Sequence, residues 1–239
     1  PGEIPWPDDV VAVPHHTNTA AGVREPGGRR YWDAYHWSVP NPRIRLVEVV
    51  QGRSSFEADA TDPAWGIVRG GHGASVRDAL AAGWRLGFVA GTDNHRGYPT
   101  RNMRSPRHYA GMTGFLAPEL TREAMWQAMD QRRTYATSGV PILCHYKVNG
   151  ALMGSERSLA EGEEVRFSAR LHGTAPIEVV EIISNGECVW RDEPDQWDVL
   201  IDREPLPAPD GPWAYYYLRL RQVDGYMAWA SPVWLDRAE

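Results

Sequence analysis

The chain of 239 residues carries 25 Lys and Arg against 31 Asp and Glu, a formal net charge of −6 at pH 7. This acidic, well-mixed charge argues against a duplex-binding surface, which needs a basic stripe. A hydrophobic content of 42% excludes wholesale disorder, and no stretch reaches the roughly 18 consecutive apolar residues of a membrane-spanning helix.

The length suits one large or two modest domains, and 23 Gly with 19 Pro favour frequent turns. Residues 10–13 (VVAV) form a continuous apolar run, which predicts a strand buried on both faces. Residues 45–50 form a second such run. Residues 75–82 predict a short helix, with Ser75 as its N-cap and Gly83 just past its end. Residues 86–90 predict a third buried strand. Residues 121–133 predict a longer helix capped by Thr121, with Ala124, Met125, Ala128 and Met129 on one face. Residues 135–137 predict a further strand. Strand–helix alternation of this kind points to crossover units and an α/β barrel or parallel sheet over residues 1–140.

After Pro141 the apolar period becomes two. Val165, Phe167, Ala169 and Leu171 alternate with polar residues, and residues 177–183 predict another strand. Asn185-Gly186 and Asp224-Gly225 are hairpin signals. Residues 141–239 therefore predict a small antiparallel β-sandwich, with the Pro-rich residues 204–212 as a surface loop. Cys144 and Cys188 lie in β-like stretches and read as buried free thiols.

Two apolar runs lead directly into polar residues: residues 10–13 into Pro14-His15-His16-Thr17, and residues 86–90 into Gly91-Thr92-Asp93-Asn94-His95. In parallel α/β architectures the C-terminal strand edge is where ligands bind. Asp-x-His in an extended segment would aim an oxygen and an imidazole nitrogen at one ion, and His15 or His16 from a neighbouring strand would add a third ligand. Glu48 shares a strand face with Leu46 and Val50, so it should point into a dry layer and need a partner there. Arg53 and Glu57 follow in the next loop, and Arg96 follows Asp93 and His95, where an arginine can hold a substrate anion. His145 and His172 stand in no polar constellation along the chain. There is no P-loop, dinucleotide fingerprint or G-x-S-x-G.

Taken in order, Val13-Pro14-His15-His16-Thr17, Val47-Glu48-Val49 and Gly91-Thr92-Asp93-Asn94-His95 resemble the C-terminal half of PHP (polymerase and histidinol phosphatase) domains. Residues 75–87, 117–124 and 132–139 look like the DUF3604 branch of that superfamily. The resemblance implies a distorted (β/α)7 barrel, a cluster of divalent metals and hydrolysis, often of phosphoesters, by a metal-bound hydroxide. It assigns His15, Asp93 and His95 as metal ligands, with His16 as the adjacent candidate, and gives Glu48 a catalytic role, orienting a ligand or moving a proton. The His-x-His that opens PHP domains is absent. The expected fold is therefore a partial PHP-type (β/α)7 barrel over residues 1–140, followed by the sandwich over 141–239. A complementary N-terminal barrel segment or second chain would complete the site.

The expected function is a metal-dependent hydrolase using Zn, Mn or Fe. Its substrate would be an anionic small molecule held by Arg53 and Arg96, with no nucleic-acid partner and no membrane span. Two alternatives remain: a non-catalytic binding protein for a carbohydrate or protein ligand, and an amide hydrolase or lyase on the same scaffold. The start at Pro1 reads as that of a fragment or processed chain, which leaves cytoplasm and periplasm both open.

Overall fold

The computed structural model describes residues 10–15, 17, 37, 40–52, 54–58, 74–95, 97 and 111–238. A small unit comes first: β1 (Leu46–Gln51), β2 (Ser54–Ser55), α1 (Val76–Ala81) and β3 (Gly87–Ala90). β1 and β3 are parallel and β2 is antiparallel to β1, giving the order β2-β1-β3. The strands expected at residues 45–50 and 86–90 and the helix expected at 75–82 are present. α1 is closed by a capping box, in which the Ser75 side chain accepts from the Asp78 backbone N–H and the Asp78 carboxylate accepts from the Ser75 N–H. Gly83 follows at φ +86°, the left-handed conformation that ends the helix at little cost to glycine. Residues 10–13 are not assigned as a strand. They run beside β1 with one backbone bond, from the Ala12 N–H to the Arg43 carbonyl, and Val13 is exposed.

The remaining elements are β4 (Met112–Phe115), α2 (Arg122–Asp130), β5 (Thr134–Thr137), β6 (Leu143–Val148), β7 (Ala151–Leu152), β8 (Glu156–Leu159), β9 (Val165–Ser184), β10 (Glu187–Asp192), β11 (Gln196–Leu206), β12 (Trp213–Gln222), β13 (Met227–Ala230) and β14 (Val233–Arg237). All the strands among them join one large sheet, whose central path is β4-β5-β13-β12-β9-β6-β7. The partial (β/α)7 barrel is therefore overturned. Strands make up 49% and helix 9% of the described residues, with two helices among them, and the strands curl as an antiparallel half-barrel. β5 pairs antiparallel with β13 and with β4, not in parallel with β3. A four-residue apolar run does not encode its direction, and this one continues the large sheet.

β9 explains much of the curl. Its first half pairs with β6 and β11, and its second half with β10 and β12. Between the halves the strand bends at residues 173–176. Gln222 holds the bend, its side-chain oxygen accepting from the Thr174 N–H at 2.7 Å. A Cβ on Gly173 would stand 2.3 Å from the Ala175 carbonyl oxygen, so the bend needs glycine there.

β12 divides two cores. Tyr216, Leu218 and Leu220 pack inside the single curled sheet that stands where a two-sheet sandwich was expected, with Phe167, Ile182 and Leu235, while Tyr215 and Tyr217 face the other way and pack with Val47, Leu80 and Phe88 of the small unit. Strands buried on both faces read as unbroken apolar runs, which is what residues 213–218 show before Arg219 interrupts them.

The small sheet meets the large one edge-on at β3. The backbone N–H groups of Phe88 and Ala90 point away from β1. They are satisfied by hydroxyls, Phe88 donating to Ser231 Oγ at 2.8 Å and Ala90 to Thr113 Oγ1 at 2.9 Å. Thr113 returns a bond to the Ala90 carbonyl, and Ser231 donates to the Thr134 carbonyl. Side chains thus close an edge that a barrel would close with another strand. Ser231→Ala should strand the buried Phe88 N–H and lower the unfolding free energy by about 1–3 kcal/mol in urea titration. An unchanged midpoint would show that the edge is satisfied otherwise.

Candidate functional site

Because β1 and β3 are parallel, their C-terminal ends, Gln51 and Ala90, lie at the same end of the small sheet. A register shift between Glu48 and Val50 bulges β1 at that end. The five residues after β3 then turn sharply. Asp93 has φ +46° and His95 has φ +55°, left-handed conformations that Asp and His tolerate better than most residues. The turn brings Asp93 Oδ1 within 2.6 Å of His95 Nε2. The other oxygen, Asp93 Oδ2, accepts from Gln51 Nε2 at 3.0 Å. Gln51 is 0% exposed, so this bond fixes the carboxylate from inside the fold. Two strained residues flanking one carboxylate are the kind of backbone outlier that concentrates at functional sites.

Glu48 sits beside this turn. A Cβ on Gly91 would lie 2.6 Å from Glu48 Oε1, so glycine there makes room for the carboxylate. Glu48 is half-buried as a residue, and its Oε2 atom is buried. The backbone N–H of Glu48 donates to the Pro14 carbonyl at 3.0 Å, which anchors the segment before exposed His15 to the same strand.

The structure thus brings together Asp93, His95 and a residue the sequence reading missed, Gln51, with Glu48 over the adjoining glycine. Asp93 and His95 meet through a left-handed turn, and not through the same-face geometry of an extended segment. Among the described residues no three His, Cys, Asp or Glu side chains stand close enough to share an ion, so His15 does not complete a triad with them. His16, Arg53 and Arg96 lie outside the described residues. The oxygen and nitrogen of the Asp93–His95 pair suit two positions of a Zn, Mn or Fe centre, and a third ligand must come from elsewhere.

A buried ion network joins the small unit to the large sheet. Glu57, 2% exposed, follows β2 and turns into the face of the large sheet. Its Oε1 accepts from Arg77 at 3.0 Å, from Arg219 at 2.8 Å and from the Tyr217 hydroxyl; its Oε2 accepts from the Trp229 indole at 2.7 Å. Arg219 also donates to buried Glu181 at 2.7 Å, and Arg191 donates to the same carboxylate. Burial alone would raise the Glu57 pKa. The guanidiniums of Arg219 and Arg77, with the Tyr217 and Trp229 hydrogen bonds, outweigh it and hold the carboxyl below its ordinary range. Burial and the Glu57 charge push the Tyr217 hydroxyl well up, so it stays a donor. Glu57 was expected in a loop. The clue to its partners was Arg219, a charge inside an apolar strand, the same sign that singled out Glu48. Of the two cysteines expected to be buried, Cys144 is buried and Cys188 is exposed, and both are free.

The chain is 34% identical over 212 residues to an uncharacterized protein of Chlamydia pneumoniae, a match covering 80% of this chain and 34% of that protein. It is 32% identical over 183 residues to an uncharacterized protein of Chlamydia muridarum, and 32% identical over 178 residues to one of Chlamydia trachomatis. Each of these two matches covers 68% of this chain and 29% of the relative. The chain therefore spans about a third of the length of the curated relatives it matches. No family model matches it, and no solved structure matches it significantly. Among the described residues no helix is long and apolar enough to cross a membrane.

Because the folded Glu57 pKa is depressed, its contribution to stability is full above the unfolded value near 4.3 and is lost as pH falls through the folded value. Glu57→Gln should destabilise the protein by about 3–5 kcal/mol at pH 7, leaving two guanidiniums facing a neutral amide. The difference between variant and parent should shrink steadily below about pH 4. Chemical denaturation across pH measures both, and a gap that stays constant with pH would exclude an ionised Glu57.

Proposed function

We propose that the strand-end cluster is part of the metal site of a PHP-type, DUF3604-like hydrolase acting on an anionic small molecule, a phosphoester before other substrates. The observation that carries this reading is the left-handed turn holding Asp93 and His95 together at the end of parallel β1 and β3, with Gln51 fixing the carboxylate from beneath. When bound, the divalent metal supplies a water acidic enough to serve as a nucleophile near neutral pH. Asp93 and His95 hold it, Gln51 keeps the Asp93 carboxylate aimed, and Glu48 at the rim of the same turn accepts or returns a proton. His15 or His16 and the side chains of a complementary segment complete the ligand set. Arg53 and Arg96 hold the substrate's charge.

Purified protein, reconstituted with Zn or Mn, should retain at least one ion per chain by plasma mass spectrometry. Asp93→Ala and His95→Ala should each lose it, together with turnover of an aryl phosphate. Gln51→Ala should keep both ligands yet bind metal about 10–100-fold more weakly, the usual effect of removing a group that orients a ligand. Retention of metal in both ligand variants would move the site elsewhere. Failure of the parent protein to bind any metal would favour the non-catalytic binding reading.

A further inference from the structure

The outer face of the large sheet carries a second constellation, well away in sequence from the strand-end turn. β9 exposes Arg170 and His172 there, while its neighbours Ala169 and Leu171 are buried. β6 sets His145 opposite Arg170 and Leu143 opposite His172. β11 sets Leu200 opposite Arg170 and Asp198 opposite His172. Lys147, two residues along β6, shares the face of His145. Leu143 and Leu200 are 57% and 73% exposed. A cavity of about 450 Å³ opens here, its apolar wall made by Phe115, Leu116, Tyr135 and Leu143 and its polar wall by His145, Arg170, His172 and Asp198. Tyr135 reaches this wall because its cross-strand partner is Gly114, whose missing Cβ would otherwise meet the phenol ring.

Among the described residues, Arg170 and Lys147 have no ion-pair or hydrogen-bond partner; Arg170 faces His145 across the strands and Lys147 lies diagonal to Arg170, opposite Ser168. His172 is the exception: its Nδ1 lies 2.6 Å from Asp198 Oδ1, which turns its Nε2 outward. The larger cavity between β8 and β11 holds Arg166, paired with Glu164, and Arg237. The guanidiniums Arg85 and Arg132 of a third, smaller cavity both reach Glu156. Burial, Lys147 and Arg170 together lower the pKa of His145, and the acidic residue of the lining, Asp198, is engaged by His172.

We propose that this groove binds an organic anion with an apolar body, its charged head on Arg170 and His145 and its body against Phe115, Leu116 and Leu143. The Arg170 guanidinium and the His145 imidazole recognise the head, and exposed Leu143 with half-buried Phe115 and Leu116 recognises the body. A small inorganic ion satisfies half of the site, and a neutral aromatic satisfies the other half.

The test is a ¹H–¹⁵N NMR titration of the isotope-labelled chain with naphthalene-2-sulfonate, beside sodium sulfate and 2-naphthol as head-only and body-only probes. Naphthalene-2-sulfonate should bind saturably and shift amides of residues 143–146 and 170–172. Sulfate and 2-naphthol should bind about tenfold more weakly or worse. Arg170→Gln, at an exposed position, should weaken binding by about tenfold or more, as loss of a charge-assisted contact does. Leu143→Ser should weaken it as well while leaving the fold intact. Absence of saturable binding, shifts centred elsewhere, equal binding of sulfate, or binding unchanged in Arg170→Gln would each overturn the proposal.

Discussion

The structure depends on how one carboxylate is held. Glu57 enters the interface between the small α/β unit and the large sheet, a place where an ionised group is costly. It accepts from Arg77 of the small unit and from Arg219, Tyr217 and Trp229 of the sheet. Both oxygens are used, and the donors come from α1, β12 and β13, so the bonds fix the position and orientation of the segment after β2. A hydrophobic contact would favour docking without specifying it; a buried carboxylate with four donors admits one arrangement. Arg219 carries the constraint on to Glu181 and Arg191, so the ion network runs from the small unit through the sheet to its far edge.

The site at the strand ends inherits that order. β1, whose exit leads through β2 to Glu57, also supplies Glu48 and Gln51. β3, whose free edge is closed by Thr113 and Ser231, leads directly into Asp93. Gly91 and Gly111 admit close packing there: a Cβ on Gly111 would lie 2.5 Å from the Gly91 carbonyl oxygen. The strained Asp93–His95 turn thus stands on a rigid base, as a site that must hold ligand geometry requires.

Much of the local structure was legible in the sequence. The N-cap residues Ser75 and Thr121 and the apolar runs located α1, α2, β1 and β3, and the Asn-Gly and Asp-Gly signals located two hairpins, with Asn185 and Gly186 both at positive φ. What was not legible is non-local. Nothing in residues 134–137 says that they pair antiparallel with β13, and the two β-like segments of residues 165–183 do not announce that they are one bent strand. The same holds for the sites. Asp93 and His95 stood out by spacing, although a left-handed turn rather than strand alternation unites them. Gln51 was hidden because a single amide closing an apolar strand resembles an ordinary strand end. The His145, Arg170 and His172 face was invisible because its members come from separate strands brought together by register.

The central claim is that the turn after β3, steadied by Gln51, is a metal-binding turn. Anomalous diffraction at the metal absorption edge, from crystals of the protein grown with Zn or Mn, tests it most directly. The account predicts a peak about 2.0–2.2 Å from both an Asp93 carboxylate oxygen and His95 Nε2. The direct Asp93–His95 hydrogen bond should be replaced and the Gln51 bond to the carboxylate retained. A peak elsewhere, or a preserved Asp93–His95 hydrogen bond with no metal beside it, would contradict the account.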